Sequence, residues 1–281
     1  MTEFADRQWG PRLFRAGDLP GLMRLKESAS WNQTADDFHR MLAIEPEGCF
    51  AIECEGTLAA CTTAVRYGKE LAWIGMVLTL PEFRGRGLAR RLVEHALEYC
   101  RAGGVRWTKL DATDMGAPLY RKLGFEPECA IERWLRPAGP APAPARAVKS
   151  GAPDLALDCR AFGADRSALL SALAAEGGVS VAGGGYAMGR AGSKARYFGP
   201  CVSPSPEAVR ELLAAFLAAH PGEPVFWDLL PENEAAAALA TEFGFAPVRK
   251  LLRMSRREDA GAAPVAADNS LVYAAAGFEF G

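Results

Sequence analysis

Apolar residues along the chain change their spacing from segment to segment, and the changes predict strands that alternate with helices. Residues 71–80 form an almost unbroken apolar run, which is typical of a strand buried on both faces. After the turn PEFRGRG, apolar residues recur at helical spacing over residues 88–101, and Gly103 and Gly104 end that helix. Residues 105–113 begin the next strand. This order of elements indicates a mixed α/β sheet.

The segment before residue 71 predicts further elements of the same sheet. Residues 13–15 are expected to open it, and residues 19–42 predict two short helices interrupted around residues 30–34. Residues 50–67 read as a hairpin that turns at Glu55 and Gly56.

The chain is similar to itself at a shift of 120 residues with no gap. Residues 84–134 laid over 204–254 give twelve identities in 51 positions, among them Trp107 with Trp227 and Arg133 with Arg253. An apolar helical stripe moves with the shift, from Ala89, Leu92, Val93, Ala96 and Leu97 to Val209, Leu212, Leu213, Phe216 and Leu217. We therefore predict two related domains, called the first copy and the second copy below.

A Pro/Ala-rich stretch separates the two copies. Proline lacks a backbone donor and has a fixed φ, so this stretch is typical of a linker. We predict a first domain at residues 1–137, a linker at 138–153, a second domain at 154–257 and a tail at 258–281. The tail is apolar enough to dock on the second domain, either as a strand against its sheet, which we favour, or with Tyr273 or Glu279 reaching a cleft.

Composition excludes several classes of protein. The 281 residues carry 32 Lys+Arg against 34 Asp+Glu, so no basic excess favours nucleic acid or anionic membranes. No apolar run approaches the ~20 residues of a spanning helix, and residues 1–10 lack a signal core, so we expect a cytoplasmic protein. Seven scattered cysteines and three isolated histidines indicate neither disulfides nor a metal site.

The segment RGRGLAR, residues 84–90, joins the buried strand to the helix. Its glycines let the backbone approach a ligand, and the free amides of a helix start attract anions. Three arginines add positive charge, so the segment predicts a phosphate-bearing ligand. It matches neither a Walker loop nor a dinucleotide fingerprint, and a tight turn with solvated arginines is the alternative interpretation.

These residues, with PLYRKLGFEP downstream, resemble the GNAT (Gcn5-related) N-acetyltransferase superfamily. Its loop Arg/Gln-x-x-Gly-x-Gly/Ala is matched by Arg84, Gly87 and Ala89. Its Tyr…Gly-Phe element is matched by Tyr120, Gly124 and Phe125. The two copies and the linker also resemble tandem bacterial members of this superfamily. The resemblance implies an α/β (α+β) fold of two GNAT-like domains, each a mixed, mainly antiparallel sheet flanked by helices.

The resemblance implies acetyl-CoA as cosubstrate and assigns residues to it. Backbone groups of Val77, Leu78 and Thr79 would pair with the pantetheine arm like an added strand, because the sheet is expected to splay apart there. The pyrophosphate would lie on Arg84, Gly85, Arg86, Gly87, Leu88, Ala89 and Arg90. Tyr120 would protonate the departing thiolate, with a tyrosine packed in the core as the alternative.

The acceptor would be a small-molecule or peptide amine, which must lose a proton as it attacks. The buried strand at 71–80 offers no acid, so Asp111 and an ordered water are the two candidates for the base, and a turn-capping Asp111 is a third interpretation. Trp31, Asn32 and Gln33 lie where the superfamily shapes its acceptor pocket. A core tryptophan with two solvated amides is the alternative.

The second copy is expected to be degenerate. Opposite Arg84 to Gly87 it carries Pro204, Ser205, Pro206 and Glu207, and Ala240 replaces Tyr120. Prolines remove amide donors and Glu207 would repel phosphate, so we predict that only the first copy binds acetyl-CoA.

The sequence thus predicts an acyltransferase, an acetyl-CoA-dependent N-acetyltransferase that acts by direct attack in a ternary complex. A non-catalytic acyl-CoA sensor or interaction scaffold is the alternative. No metal, nucleic acid or membrane is expected to take part, and the chain is expected to be a monomer or a homodimer.

Overall fold

The structure, a computed structural model, describes residues 9–140 and 148–281. The amino-terminal residues 1–8 and residues 141–147 of the predicted linker lie outside the described residues. The helices are α1 (Leu19–Ser28), α2 (Ala35–Ile44), α3 (Leu88–Ala102), α4 (Ala117–Lys122), α5 (Leu155–Phe162), α6 (Ser167–Gly177), α7 (Pro206–Ala219) and α8 (Glu234–Glu242). The strands are β1 (Arg12–Leu13), β2 (Cys49–Cys54), β3 (Thr57–Tyr67), β4 (Leu71–Thr79), β5 (Trp107–Ala112), β6 (Glu126–Arg136), β7 (Lys149–Ser150), β8 (Ser180–Ala182), β9 (Gly185–Arg190), β10 (Arg196–Val202), β11 (Val225–Leu229), β12 (Ala246–Arg257) and β13 (Val272–Ala274).

The elements predicted for the first copy are confirmed. Two short helices, α1 and α2, flank residues 29–34, and the β2–β3 hairpin turns at Glu55 and Gly56, both at positive φ. The stripe of α3 is buried at Leu92, Val93, Ala96 and Leu97, as its spacing predicts.

The chain divides into two compact units that do not follow the repeat. One unit comprises Met1–Lys109 and Arg257–Ala262, and the other comprises Leu110–Arg256 and Ala263–Gly281. The division therefore cuts through β5 and β12. The domain boundaries at residues 137 and 154 stay a prediction.

In the first unit the strands follow the order β1-β2-β3-β4-β5. All neighbours are antiparallel except β4 and β5, which run parallel over three residue pairs, from Leu71 with Trp107 to Trp73 with Lys109. Helix α3 packs on β3 and β4. Burial of its stripe against these strands supplies a large hydrophobic contribution to this unit.

In the second unit the order is β12-β6-β11-β10-β9-β8-β7, and β13 pairs with β10. Here too one pair of neighbours, β10 and β11, is parallel over three residue pairs. The core lies under α7 and α8, where the rings of Phe198 and Phe245 pack edge-on against Trp227 at 5.3 Å. Such arrangements add to the area that aromatic rings bury.

The last strands of the two copies are exchanged. Strand β6 follows α4 of the first copy, yet it pairs antiparallel with β11 of the second copy. Strand β12 follows α8 of the second copy, yet it lies between β6 and β5 in the strand order. Strands of both copies therefore contribute to one sheet, in which β6 and β12 are neighbours.

Two buried ion pairs accompany this exchange. Arg133 on β6 forms two hydrogen bonds of 2.7 Å to Asp228 on β11. Arg253, which is equivalent to Arg133 at the repeat shift, binds both carboxylate oxygens of Asp111 on β5 at 2.9 and 3.1 Å. Burial alone would lower the pKa of Arg133, but the carboxylate of Asp228 raises it. Each arginine thus holds its strand against an aspartate of the other copy.

We expect Arg133→Met to lower the free energy of unfolding by about 3–5 kcal/mol, because it leaves Asp228 buried without its cation. The double variant Arg133→Met/Asp228→Leu should regain most of that loss. Urea denaturation followed by circular dichroism measures both.

Arg106→Ala is the matched control, since Arg106 pairs with Glu70 at a surface where both side chains are about half exposed. It should cost at most about 1 kcal/mol. Equal losses for Arg133→Met and Arg106→Ala would contradict a structural role for the buried pair.

Candidate functional site

The edge of β4 provides the first part of the candidate site. Beyond Trp73, β4 pairs with β3 on one side, and no pairing with β5 continues among the described residues. Within the described residues, the stretch 74–79, which includes Val77, Leu78 and Thr79, thus has a strand partner on the side of β3 only. Strand edges of this kind accept an extended ligand through main-chain hydrogen bonds.

A bulge lies on the same stretch of β4. The register between β3 and β4 shifts at Cys61 and Thr63, and Met76 adopts a φ of 51°. Positive φ at a buried non-glycine residue is strained, and such strain concentrates at functional sites. Sequence reasoning did not identify Met76, although a glycine at position 75 within a strand is a signal for a bulge.

Side chains of β3 bind the carbonyl groups around this bulge. Thr62 donates its hydroxyl to the carbonyl of Gly75 at 3.0 Å, and Cys61 donates its thiol to the carbonyl of Met76 at 3.3 Å. Thr79, at the end of the strand, has a buried Oγ1 with no hydrogen-bond partner within the described part of the chain. A polar ligand along β4 would supply that partner.

The glycine loop follows directly. Pro81–Phe83 forms a single 3-10 turn, and Gly85 and Gly87 adopt φ of 76° and 77°. Nothing lies within 4 Å of a Cβ built at either glycine, so the conformation, and not crowding, requires glycine here. Gly87 is the N-cap of α3 and has no side chain to cap the amides of the first turn. Those amides are therefore suited to an anion.

The three arginines of the loop are exposed and held by local contacts. Arg84 donates from Nε to the carbonyl of Thr79 at 3.3 Å. The guanidinium of Arg86 lies 5.0 Å from the ring centroid of Phe83, and Arg90 binds Glu94 at 2.9 Å. All three side chains begin within the loop, so their charge favours a phosphate at this helix start.

Tyr120 lies on α4 in the second unit. Its side chain is buried, its ring packs edge-on against Phe125, and a Cβ at Gly116 would come within 2.9 Å of it. Burial raises the pKa of the Tyr120 hydroxyl, so this group carries a proton at neutral pH. The hydroxyl is therefore in the protonation state that a general acid needs.

Asp111 is placed differently from a free base. Its carboxylate is fully buried and both oxygens accept hydrogen bonds from Arg253. Burial raises its pKa, and the guanidinium of Arg253 opposes that effect. The role of Asp111 as a base stays a prediction, and the ion pair favours the water alternative.

Trp31, Asn32 and Gln33 connect α1 to α2. The amide of Trp31 donates to the carbonyl of Lys26 at 3.1 Å, and the next helix begins at the capping box of Thr34 and Asp37. Asn32 and Gln33 are each only 7% exposed. The alternative of two solvated amides was therefore wrong, while the acceptor-pocket role of these residues stays a prediction.

The equivalent loop of the second copy is built without a glycine N-cap. Ser205 caps α7 by accepting a hydrogen bond from the amide of Ala208, and its hydroxyl also binds Glu207 at 2.6 Å. That hydrogen bond lowers the pKa of Glu207. The helix start is therefore occupied by the protein's own oxygen atoms and carries a negative charge.

In the described parts of the chain, no group of three or more His, Cys, Asp or Glu residues has a geometry that would hold a metal ion. Within residues 9–140 and 148–281, no helix has the length and apolar character needed to span a bilayer.

Comparison with protein families gives two matches in this chain. A model described as "Acetyltransferase (GNAT) family" matches residues 19–125, and one described as "Acetyltransferase (GNAT) domain" matches residues 155–274. Together the two matches cover more than half of the chain, and each covers one copy.

Individual proteins agree with these models. An uncharacterized N-acetyltransferase of Methanocaldococcus jannaschii is 37% identical over 24% of this chain and 31% of its own length, so this chain spans about a third of that relative. The uncharacterized N-acetyltransferase YitH of Bacillus subtilis is 25% identical over 81% of this chain and 84% of its own. A crystal structure of a putative acetyltransferase from Pyrococcus horikoshii superposes with a TM-score of 0.85 at 20% identity, covering 98% of this chain and 96% of that one. The last similarity shows that the fold extends over both copies.

We expect Tyr120 to stay protonated above pH 10 in the folded protein, because burial raises its pKa whereas an exposed tyrosine ionises near pH ~10. Its contribution to stability should be complete below that pH and be lost as pH rises toward the folded pKa. Tyrosinate absorbance in native protein and in Tyr120→Phe measures this. Titration of the urea-unfolded proteins is the control, and one extra tyrosine ionising near pH ~10 in native wild type would contradict it.

Proposed function

This chain is a tandem member of the GNAT acetyltransferase family, and we propose that its first copy transfers an acetyl group from acetyl-CoA to a primary amine. One observation carries the proposal. The separated edge of β4 leads directly into a glycine loop at an uncapped helix start. An extended arm that ends in a pyrophosphate, as in acetyl-CoA, fits this order of features.

The cosubstrate is held mostly by backbone groups. Amides and carbonyls of Val77, Leu78 and Thr79 pair with the pantetheine arm as an added strand would. The amides from Gly85 to Arg90 bind the pyrophosphate, and the positive end of the α3 dipole favours its charge. Arg84, Arg86 and Arg90 supply countercharge from the exposed side of the loop.

The chemical step is a direct attack. The amine nitrogen adds to the acetyl carbonyl carbon, the new C–N bond forms as the C–S bond breaks, and the thiolate leaves with its electron pair. We assign Tyr120 the transfer of a proton to that thiolate, because its buried hydroxyl carries a proton at neutral pH. The tyrosinate then regains its proton from water.

The amine must also lose a proton. We propose that an ordered water accepts it, because the carboxylate of Asp111 is fully buried and forms an ion pair with Arg253. Asp111 then stabilises the fold through its ion pair with Arg253 and does not contact the substrate. Trp31, Asn32 and Gln33, which connect α1 to α2, are proposed to line the acceptor side.

Titration calorimetry with acetyl-CoA should find one site per chain. Gly87→Glu, which copies the second copy, should weaken binding by about 100-fold or more, because it adds a carboxylate at the phosphate-binding helix start and forces positive φ on a non-glycine residue.

Glu207→Gln is the matched control in the second copy and should leave the stoichiometry at one. Two sites per chain would overturn the proposal that the second copy is degenerate. No binding at all would favour the scaffold alternative.

Tyr120→Phe should lower kcat by about 10²–10⁴-fold while the Kd for acetyl-CoA changes little, because the hydroxyl is needed only as the thiolate leaves. Steady-state acetylation of an amine library followed by calorimetry measures both values. Equal losses in kcat and in affinity would remove Tyr120 from the acid role.

The same assay decides the role of Asp111. Asp111→Leu combined with Arg253→Met removes the ion pair as a unit, so no unpaired charge stays buried. If water is the proton acceptor, the folded double variant should keep its kcat within about threefold of the wild-type value. A loss as large as that of Tyr120→Phe would assign the base to Asp111.

A further inference from the structure

The two copies contain the same arrangement of three strands. Strand β4 lies between antiparallel β3 and parallel β5, and β10 lies between antiparallel β9 and parallel β11. In both copies the parallel pairing covers only three residue pairs. In both, the antiparallel register also shifts beside it, at Cys61 and Thr63 in the first copy and at Phe198 and Cys201 in the second. The pairing of the central strand with its parallel neighbour therefore ends at the equivalent place in each copy. In the second copy a cleft begins there, between β10 and β11.

The cleft of the second copy contains a strand of the same chain. Strand β13 pairs antiparallel with β10, through Cys201 with Ala274 and Val202 with Val272. On the side of β11, the amide of Ala275 donates to the carbonyl of Asp228 at 2.9 Å. The C-terminal segment thus continues the sheet where β10 and β11 separate.

Side chains of the cleft bind the main chain of this segment. Trp227 donates from Nε1 to the carbonyl of Tyr273 at 2.7 Å. Asn233 donates to the carbonyls of Ser270 and Val272 at 3.1 and 3.0 Å. Recognition of main-chain carbonyls by an added strand and fixed donors is typical of peptide-binding clefts.

The cleft also leaves room for the backbone of the segment at Gly199 on β10. A Cβ at that position would lie 2.3 Å from the carbonyl oxygen of Ala275. Such a distance is far below van der Waals contact, so any side chain there would displace the segment. The absence of a side chain at Gly199 therefore allows the backbone of the segment to lie against β10.

The last residues fix the end of the segment. Arg190 donates to the carbonyl of Ala276 at 2.8 Å and to the carboxylate of Glu279 at 2.9 Å. Gly277 adopts a φ of 136°, and a Cβ there would lie 2.8 Å from Arg190. Arg166 donates to the carbonyl of Gly281 at 3.1 Å. Both the fold of the segment and its side chains are thus matched to the cleft.

We infer that the cleft between β10 and β11 is a binding site for an extended peptide, and that residues 269–281 of this chain are its ligand. The segment takes the place in the second copy that pantetheine takes in the first. This equivalence rests on the function proposed above, whereas the peptide site itself does not. The second copy is therefore occupied by the chain and not by a cosubstrate.

The test uses the full chain with a specific protease site inserted between Ala263 and Pro264, which are exposed. After cleavage, size exclusion in non-denaturing buffer shows whether the cut segment stays with the body. A fluorescent synthetic peptide of residues 269–281 is then added, and anisotropy measures its binding. Uncut chain is the control and should not take up the peptide.

We expect the cut segment to co-elute with the body, or, where it is released, the synthetic peptide to bind one per chain. A Gly277→Ala peptide should bind at least about tenfold more weakly, since its Cβ would collide with Arg190. Release of the segment with no binding of the synthetic peptide would overturn the inference. So would equal binding of the Gly277→Ala peptide.

A second measurement needs no cleavage. In the intact Glu279→Gln variant, amide hydrogen exchange in residues 271–277 should be faster by about tenfold or more, because Arg190 loses a charged partner. Glu223→Gln, which removes an exposed partner of Arg196, is the matched control. Unchanged exchange in Glu279→Gln would contradict the anchoring. Neither assay contains acetyl-CoA, so failure of the proposed function would leave both results intact.

Discussion

The reciprocal pairing of Arg133 with Asp228 and of Arg253 with Asp111 is the constraint on which the shared sheet depends. A guanidinium cannot lose its proton inside a protein, so a buried arginine requires a buried anion. In each pair the anion belongs to a strand of the other copy. Strands β6 and β12 are therefore held where the carboxylates are, and the hydrophobic stripe of each copy could not by itself select this arrangement.

A common scaffold with two different clefts follows from this arrangement. Both copies keep the helix that follows the central strand and the parallel pair that separates after three residues. They differ at the helix start, where Gly87 leaves amides without a side-chain cap and Ser205 caps them. They differ again at the strand edge, which β13 covers only in the second copy. Two independent changes thus remove the features that would bind a nucleotide-linked thioester.

Much of the fold could be predicted because it depends on local pattern. The periods of apolar residues identify α3 and α7, and the glycines of RGRG identify a loop whose positive φ the structure confirms. The exchange of β6 and β12 and the partner of Asp111 could not be predicted. A tail strand against the second sheet was predicted, and β13 is such a strand, but its place beside β10 and β11 was not. Each of these depends on contacts between residues far apart in the chain, from 37 positions for Asn233 with Ser270 to 142 for Arg253 with Asp111. An ion pair such as Arg253 with Asp111 leaves no periodic signal. The bulge at Met76 was not predicted, because strand propensity does not determine the register in which two strands pair.

The exchanged strands also bear on whether a copy can exist as a module. A fragment that ends at residue 137 would keep Asp111 but lose Arg253, and its β6 would lose both β11 and β12. The exchange therefore makes each copy depend on a strand of the other copy. Truncation at the linker would leave the carboxylate of Asp111 without its cation and the edge of β6 without its neighbouring strands, so the repeat in the sequence does not mark a point where the chain can be cut.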